Sequence, residues 1–184
     1  MNVCVFCASS SAVASVYVGA AAALGKWIGN HGHTLVWGGC NVGLMDVVGK
    51  ATQAAGGRTV AVIPKFLVER GLAFSIPDER CVTTDMASRK AEFRRRAQAY
   101  VALPGGVGTW EEVLEVLALK KLGRLAAPIV LVNVEGCYDP LVAQFERSVR
   151  DGFTPPDAAS LLEVVQDVTA ATELLERAEP PRHA

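Results

Sequence analysis

The apolar positions of the chain fall into short uninterrupted runs. Five such runs are rich in Val, Ile and Leu and are bounded by Gly and Pro: Val3–Phe6, Thr34–Trp37, Thr59–Ile63, Tyr100–Leu103 and Ile129–Val132. Apolar runs that are continuous, and not alternating, are typical of strands covered on both faces. They therefore predict the buried strands of a parallel sheet.

The longer stretches between these runs predict helices. Apolar residues recur with helical spacing over residues 12–30, 43–55, 87–97, 109–122 and 139–151. Further strands are predicted at Arg80–Thr83 and Val164–Val165, and a last helix at 169–178. Alternation of strand and helix is typical of right-handed crossovers. The expected fold class is therefore α/β, a Rossmann-like doubly wound parallel sheet with helices on both faces.

Length and composition add the expectation of a single domain. The chain has 184 residues, of which 51% are hydrophobic and 20% charged, which fits one compact unit. We expect the domain to span 1–178 and a frayed tail to follow at 179–184, where two prolines stand. The longest irregular stretch, 64–85, predicts a lid or binding loop.

The charge pattern argues against a nucleic-acid or membrane partner. The net charge is −1, and the one dense basic run, Arg94–Arg96, lies in a helical segment and is interpreted as a solvated face. No apolar run has the length of a membrane span, and Met1–Phe6 reads as a strand and not as an export signal. We therefore expect a cytoplasmic protein.

The five cysteines do not predict a disulfide framework, because their number is odd and their spacing scattered. Cys4 and Cys7 form a C-x-x-C on a predicted strand, where an odd separation sends the two side chains to opposite faces. We interpret them as small buried residues. No metal site is expected.

Small and glycine-rich turns follow three of the predicted strands. These turns are Cys7–Ser11, Gly38–Gly43 and Pro104–Thr109. Ligands of open α/β sheets bind beyond the carboxyl ends of the strands. Glycines let backbone N–H groups approach a phosphate, and the following helix adds the positive end of its dipole. The turns predict a pocket for an anionic ligand, although single glycine turns are also ordinary connections.

Two charged positions near these turns are candidates for chemistry. Thr109 and Glu112 fit a capping box, in which Glu112 only reaches back to the start of its helix. In the alternative interpretation, Glu112 lies beside the bound anion and has a functional role there. Arg89 and Lys90 follow the short strand at Arg80–Thr83, and their local sequence leaves a solvent-facing role and a pocket role equally open.

Together these residues resemble a known family. The run from Pro104 to Glu112 fits P-G-G-x-G-T-x-x-E, and the segment from Met86 to Lys90 fits M-x-x-R-K. Both motifs are similar to those of the LONELY GUY family, the cytokinin riboside 5'-monophosphate phosphoribohydrolases that are often mislabelled lysine decarboxylases. The similarity covers roughly residues 3 to 153.

The resemblance implies an activity and the residues that carry it. The reaction would cleave the bond between the base and ribose 5'-phosphate of a nucleoside monophosphate, without cofactor or metal, in a homodimer. Arg89 and Glu112 would be catalytic. The substrate would be held by Met86, Lys90, Ser9, Gly39 and the turn Gly105, Gly106, Val107, Gly108 and Thr109.

The chain also departs from the family pattern. Ala8 and Cys40 stand where the family usually has glycine, and Asp46 replaces another common glycine. A carboxylate at Asp46 would either weaken phosphate binding or serve as a harmless helix-start residue. The loop over 66–83 is unlike that of the plant members, so the preferred base stays open.

Three other functions compete with this hydrolase. A molybdenum-cofactor carrier of the same fold would use the P-G-G-x-G-T turn without needing the pair Arg89 and Glu112. A pyridoxal-phosphate decarboxylase is disfavoured because no lysine is marked out as a Schiff-base residue. A DNA-binding relative is disfavoured by the near-neutral charge and the few aromatic residues.

Overall fold

The computed structural model describes residues 1–178 and contains a sheet of seven parallel strands. The strands are β1 (Asn2–Phe6), β2 (Thr34–Trp37), β3 (Arg58–Pro64), β4 (Glu79–Thr83), β5 (Ala99–Ala102), β6 (Ile129–Val132) and β7 (Glu163–Val165). Their order across the sheet is β4-β3-β2-β1-β5-β6-β7. The tail predicted at 179–184 lies outside the described residues.

Residues 1–178 contain seven α-helices, of which six connect the strands and the last follows β7. They are α1 (Ser15–Asn30), α2 (Gly43–Ala54), α3 (Lys65–Glu69), α4 (Met86–Arg96), α5 (Val107–Lys121), α6 (Asp139–Arg150) and α7 (Val168–Ala178), with short 3₁₀ turns at Val134–Gly136 and Pro156–Leu161. Helices α1, α2 and α7 contribute to the core on one face of the sheet. Helices α4, α5 and α6 pack on the other face, so the predicted α/β fold with helices on both faces is confirmed.

The central strand explains why the apolar runs are continuous. Val3 and Val5 of β1 belong to the core under α1 and α2, whereas Cys4 and Phe6 belong to the core under α4 and α5. Because both faces are covered, every position of such a strand is apolar. The same alternation separates Cys4 from Cys7, as predicted, and burial raises the pKa of both thiols.

The stretch 64–85 is more ordered than the sequence predicts. It contains α3 and β4, and its middle is tied to the exit of β2. The N–H of Phe74 donates to the carbonyl of Gly39 at 2.8 Å, and the N–H of Asn41 donates to the carbonyl of Leu72 at 3.0 Å. These backbone bonds fix the loop against the strand ends.

The basic run on α4 is paired, and only part of it is solvated. Arg95 is 62% exposed and binds Glu92, as expected of a solvated face. Arg96 is 17% exposed and bridges Glu92 to Glu79 of β4, at 2.9 and 2.7 Å. The interpretation of the whole run as a solvated face is therefore wrong for Arg96, whose partner on β4 cannot be read from local sequence.

Within residues 1–178, no helix combines the length and the hydropathy that a transmembrane segment requires.

Candidate active site

A cavity of about 360 Å³ opens at the carboxyl edge of the sheet. The chain runs from β1 outward to β4 and then returns to the other side of β1 as β5, so this is the edge where the winding reverses. The polar side chains of the wall are Ser9, Ser10, Arg89, Thr109 and Glu112. The apolar ones are Cys7, Ala8, Cys40, Val42, Met45, Leu67, Leu72, Met86 and Val107, and Gly106 and Gly108 complete the lining.

Helix α5 points its first turn at the cavity. Its N-cap residue is Gly106, which has an extended backbone and no side chain to cap the helix. The N–H groups of Val107–Thr109 have no acceptor within the helix, and these residues line the cavity. Free amides and the helix dipole together form the kind of surface that binds phosphate.

The capping-box interpretation of Thr109 and Glu112 is wrong. Thr109 is the third residue of α5 and is buried against Gly105, where a Cβ would overlap its Oγ1. Glu112 lies almost a turn further on and faces α4. The pattern T-x-x-E misleads here because the extended backbone of Gly106 starts the helix earlier than the capping box requires.

Arg89 lies in the first turn of α4 and points into the protein. Asp85 caps this helix: its carboxylate accepts the N–H of Ser88 at 2.7 Å, and the Ser88 hydroxyl accepts the N–H of Asp85 at 3.1 Å. The side chain of Arg89 is only 6% exposed. Its guanidinium carbon lies 5.2 Å from the centre of the Phe93 ring, within the range of a cation–π interaction.

Gly38, directly after β2, provides the space that Arg89 occupies. A Cβ at this position would overlap a terminal guanidinium nitrogen of Arg89 and would lie 2.9 Å from Sδ of Met45. The glycine is therefore a positioning residue that acts through Arg89. The turn after β2 leaves room for this side chain, in addition to letting backbone N–H groups approach a ligand.

Arg89 and Glu112 form a buried pair at the cavity wall. A terminal guanidinium nitrogen lies 3.5 Å from Oε1 of Glu112, and the Glu112 side chain is 8% exposed. Burial raises the pKa of Glu112 to about 7, against the opposing effect of Arg89. Nε of Arg89 is buried and has no hydrogen-bond partner within the described residues. The pair thus combines a carboxyl poised near neutrality with an unused donor.

Lys90 is held by two other carboxylates of α5. Its ammonium binds the carboxylates of Glu111 and Glu115, the latter at 2.8 Å, and these hydrogen bonds raise its pKa. It is not among the residues that line the cavity. The structure therefore brings Arg89 to the site and leaves its neighbour in the sequence on the outer side of the seam between α4 and α5.

The structure brings most of the other predicted residues to the cavity. Those that line it are Ser9, Met86 and the turn Gly106–Thr109. Gly39 and Gly105 do not line it but permit close packing around it. Gly39 has a φ of +63°, and a Cβ there would lie 2.6 Å from Cβ of Ala61 on β3.

The departures from the family pattern have different outcomes. Ala8 and Cys40 both line the cavity, and the Cys40 thiol donates to the carbonyl of Gly38 at 3.7 Å. Asp46 does not line it and binds Lys50 one turn along α2, at 2.6 Å. The acid at Asp46 is therefore a helix-start residue with its own partner.

Sequence reasoning did not single out the apolar side of the cavity. Leu67 on α3 and Leu72 after it belong to the stretch 64–85, which was predicted as a lid or binding loop without any particular residue. Val42 and Met45 lie at the start of α2. The one available signal was their position beside small-residue turns. Within residues 1–178, no group of His, Cys, Asp or Glu is arranged to hold a metal ion.

Comparison with known proteins agrees with these motifs. A family model described as possible lysine decarboxylase matches residues 45–175. A probable cytokinin riboside 5'-monophosphate phosphoribohydrolase of Oryza sativa subsp. japonica is 42% identical over 179 residues, which are 97% of this chain and 79% of that protein. A cytokinin riboside 5'-monophosphate phosphoribohydrolase of Arabidopsis thaliana is 39% identical over 179 residues, which are 97% and 82% of the two chains.

Solved structures share the architecture. The molybdenum cofactor carrier protein of Chlamydomonas reinhardtii has a TM-score of 0.74 at 26% identity, over 96% of both chains. The molybdenum cofactor binding protein of Rippkaea orientalis has a TM-score of 0.73 at 20% identity, over 96% of both chains, which is a likeness of fold alone. The identities of the phosphoribohydrolases are clearly higher, and the family model covers most of this chain. The chain therefore belongs to the LONELY GUY family, whose model carries the description possible lysine decarboxylase.

Proposed function

We propose that this protein hydrolyses the N-glycosidic bond of an adenosine 5'-monophosphate, with or without a substituent on N6, to free base and ribose 5-phosphate. The observation that carries the proposal is the buried pair Arg89 and Glu112 beside the first turn of α5. The names of the relatives in Oryza sativa and Arabidopsis thaliana support the same reaction.

The phosphate binds at the start of α5. The amides of Val107, Gly108 and Thr109 offer donors without helical acceptors, and the hydroxyls of Ser9 and Ser10 line the same wall. Binding energy from the phosphate positions the glycosidic bond against Glu112, although the phosphate itself does not react.

Glu112 and Arg89 act on the sugar. The carboxylate of Glu112 takes a proton from water, whose oxygen bonds to the anomeric carbon as the bond to the base breaks, and the proton then passes to the departing base. The raised pKa of about 7 suits a group that accepts and returns a proton at neutral pH. Arg89 lies 3.5 Å from the Glu112 carboxylate and orients it.

The apolar side of the cavity supports acceptance of a substituted base. Val42, Met45, Leu67 and Leu72 line the cavity together, and an apolar group on N6 would pack against them and leave water. We propose on this ground that N6-isopentenyl adenosine monophosphate is cleaved more efficiently than AMP.

The carrier alternative is less well supported. The Chlamydomonas reinhardtii carrier is 26% identical to this chain, below the 37–42% of the phosphoribohydrolases. A carrier has no need of a buried carboxyl with a pKa of about 7, because holding that group away from water costs free energy. The pair of Arg89 and Glu112 therefore favours the enzyme.

We further propose that the protein is a homodimer. Val107, Trp110 and Leu114 lie on one side of α5 and are 75%, 44% and 48% exposed. A stripe of this kind supports a protein interface at the mouth of the cavity. Trp110→Glu should convert a dimer measured by light scattering into a monomer, and an unchanged mass would exclude this face.

We also propose a cytoplasmic location. All five cysteines are free thiols in the fold, as is usual for proteins of a reducing compartment. Activity in the cytosolic fraction of the source cells would agree, and recovery of the protein from an oxidising compartment with disulfides would contradict it.

The test of the activity uses two nucleotides and one variant. The purified protein is incubated with AMP and with N6-isopentenyl adenosine monophosphate, and release of free base is followed by chromatography. We expect base from both, faster from the prenylated nucleotide, and none above background with Glu112→Ala. Folded wild-type protein that binds either nucleotide and releases no base would favour the carrier.

A further inference from the structure

A second cleft lies at the opposite edge of the sheet from the candidate active site. It is formed by the last turns of α4 and α5 and by the loop 122–128 that leads into β6. Its volume is about 360 Å³, equal to that of the candidate active site and within the range of small-molecule sites. No step of the proposed reaction uses it.

The floor of this cleft contains a hydroxyl without a hydrogen-bond partner within residues 1–178. Tyr100 is only 1% exposed, its backbone lies inside β5, and its ring stacks on Phe6 at 5.9 Å, so the distal end of the ring is the part that reaches the cleft. Its hydroxyl makes no hydrogen bond with any residue of the described chain. The hydroxyl is therefore open to donate a hydrogen bond to a ligand in the cleft.

The cleft also carries one uncompensated positive charge. Arg94 is paired with Glu115, and the Lys120 ammonium donates to the carbonyl of Ala127 at 3.1 Å. Arg124 is exposed, lines the cleft and forms no ion pair with residues 1–178. Among the residues that line the cleft, Arg124 is thus the cation without a carboxylate partner within residues 1–178.

The loop that carries Arg124 is held in place at both ends. The N–H of Arg124 donates to the carbonyl of Leu119 at 2.9 Å, and the N–H of Tyr100 donates to the carbonyl of Pro128 at 2.9 Å. Because the loop backbone is already fixed, ordering of the loop does not oppose ligand binding.

The remaining walls are apolar and small. They consist of Ala97, Leu119, Leu125, Ala126 and Ala127. We propose that this cleft binds a small organic monocarboxylate, with the carboxylate on the guanidinium of Arg124 and accepting the hydrogen bond of the Tyr100 hydroxyl. The apolar part of the ligand packs between Leu119 and Leu125.

The experiment is a titration of the full chain with sodium benzoate, followed by backbone amide chemical shifts in NMR. We expect saturable shifts at Tyr100 and over 124–127. Benzamide, which has the same shape without the charge, should bind at least about tenfold more weakly, because a hydrogen bond to a charged group is worth more than a neutral one. Equal binding of benzamide, or no saturable shift in this region, would overturn the proposal.

Variants separate the two contacts. Arg124→Gln should weaken benzoate binding about tenfold or more, and Tyr100→Phe about three- to tenfold, since it keeps the ring and removes only the hydroxyl. Arg150→Gln is the matched control, because Arg150 is an exposed arginine on α6 that does not line the cleft, and its binding curve should match that of the wild type. Unchanged binding in Arg124→Gln would also overturn the proposal, and no readout depends on the enzymatic reaction.

Discussion

Helices α4 and α5 face each other through two sets of oppositely charged side chains that differ in depth. The inner set is Arg89 with Glu112, whose side chains are 6% and 8% exposed. The outer set includes Lys90 with Glu111, whose side chains are 20% and 49% exposed. The two sets are neighbours in the sequence and use the same chemistry.

Because the two sets differ in depth, their side chains differ in protonation behaviour. For Glu112 the loss of water outweighs the attraction of Arg89, so its pKa rises to about 7 and it can exchange a proton at neutral pH. For Lys90 the hydrogen bonds to Glu111 and Glu115 outweigh desolvation, so it stays charged and holds the helices together. Burial, and not residue type, therefore separates the pair that we propose to be catalytic from the pair that joins the helices.

The largest change in base release that tests this comparison is expected for Glu112→Gln. The amide keeps the volume of the side chain but cannot take a proton, so the rate of base release should fall by about 10²–10⁴-fold. The melting temperature should not fall, because the change removes a carboxyl that is costly to ionise in its buried place. A variant that is folded and fully active would show that the inner pair is structural as well.

The next effect tests how the inner pair is positioned. Gly38→Ala would push a methyl group into the guanidinium of Arg89, and we expect base release to fall by about 10–100-fold while the fold survives. Gly19→Ala is the matched control: no atom lies within 4 Å of its added Cβ, and alanine in a helix stabilises by about 0.5–1 kcal/mol. Equal activity of the two variants would mean that Arg89 need not be held there.

The pH dependence should separate activity from stability. The activity should rise about tenfold between pH 6 and 8, as Glu112 ionises around its pKa of about 7. The folded pKa lies above the ordinary value of 4.5, so the stability contributed by protonated Glu112 is complete below pH 4.5 and is lost as the pH rises through about 7. Both slopes should be absent in Glu112→Gln, and a wild-type activity that is flat over this window would contradict the assignment.

The smallest effect belongs to the outer set. Glu111→Gln removes one half-exposed carboxylate from Lys90, which keeps Glu115 at 2.8 Å. We expect a loss of at most about 1 kcal/mol in the free energy of unfolding, measured by urea denaturation, and base release within about twofold of the wild type. If Glu111→Gln lowered base release as much as Glu112→Gln does, the two sets would not differ in function.

The sheet could be predicted from the sequence because its signal is local. Each buried strand is a run of apolar residues, and the alternation of such runs with helical segments gives the order of the elements along the chain. The predicted bounds of these elements differ from the observed ones by a few residues. The place of the first turn of α5 at the cavity was also predictable, because glycines directly after a strand mark it.

The depth of the charged residues could not be predicted in the same way. Arg89 and Lys90 are adjacent, and contacts with Gly38 for the one, or with Glu111 and Glu115 for the other, decide which of the two is buried. Such contacts join segments far apart in the chain. The motif M-x-x-R-K names both residues without distinguishing them.

The place of β1 at the centre of the sheet has a consequence for the synthesis of the chain. Strands β1 to β4 are complete at residue 83 and lie side by side, but the other edge of β1 pairs only with β5, at residues 99–102. A nascent chain between these two points carries an apolar strand with one open edge in what will become the middle of the protein. The growing chain is therefore most exposed to aggregation between the synthesis of residues 83 and 99, and each later strand that emerges from the ribosome adds to a sheet whose centre is already closed.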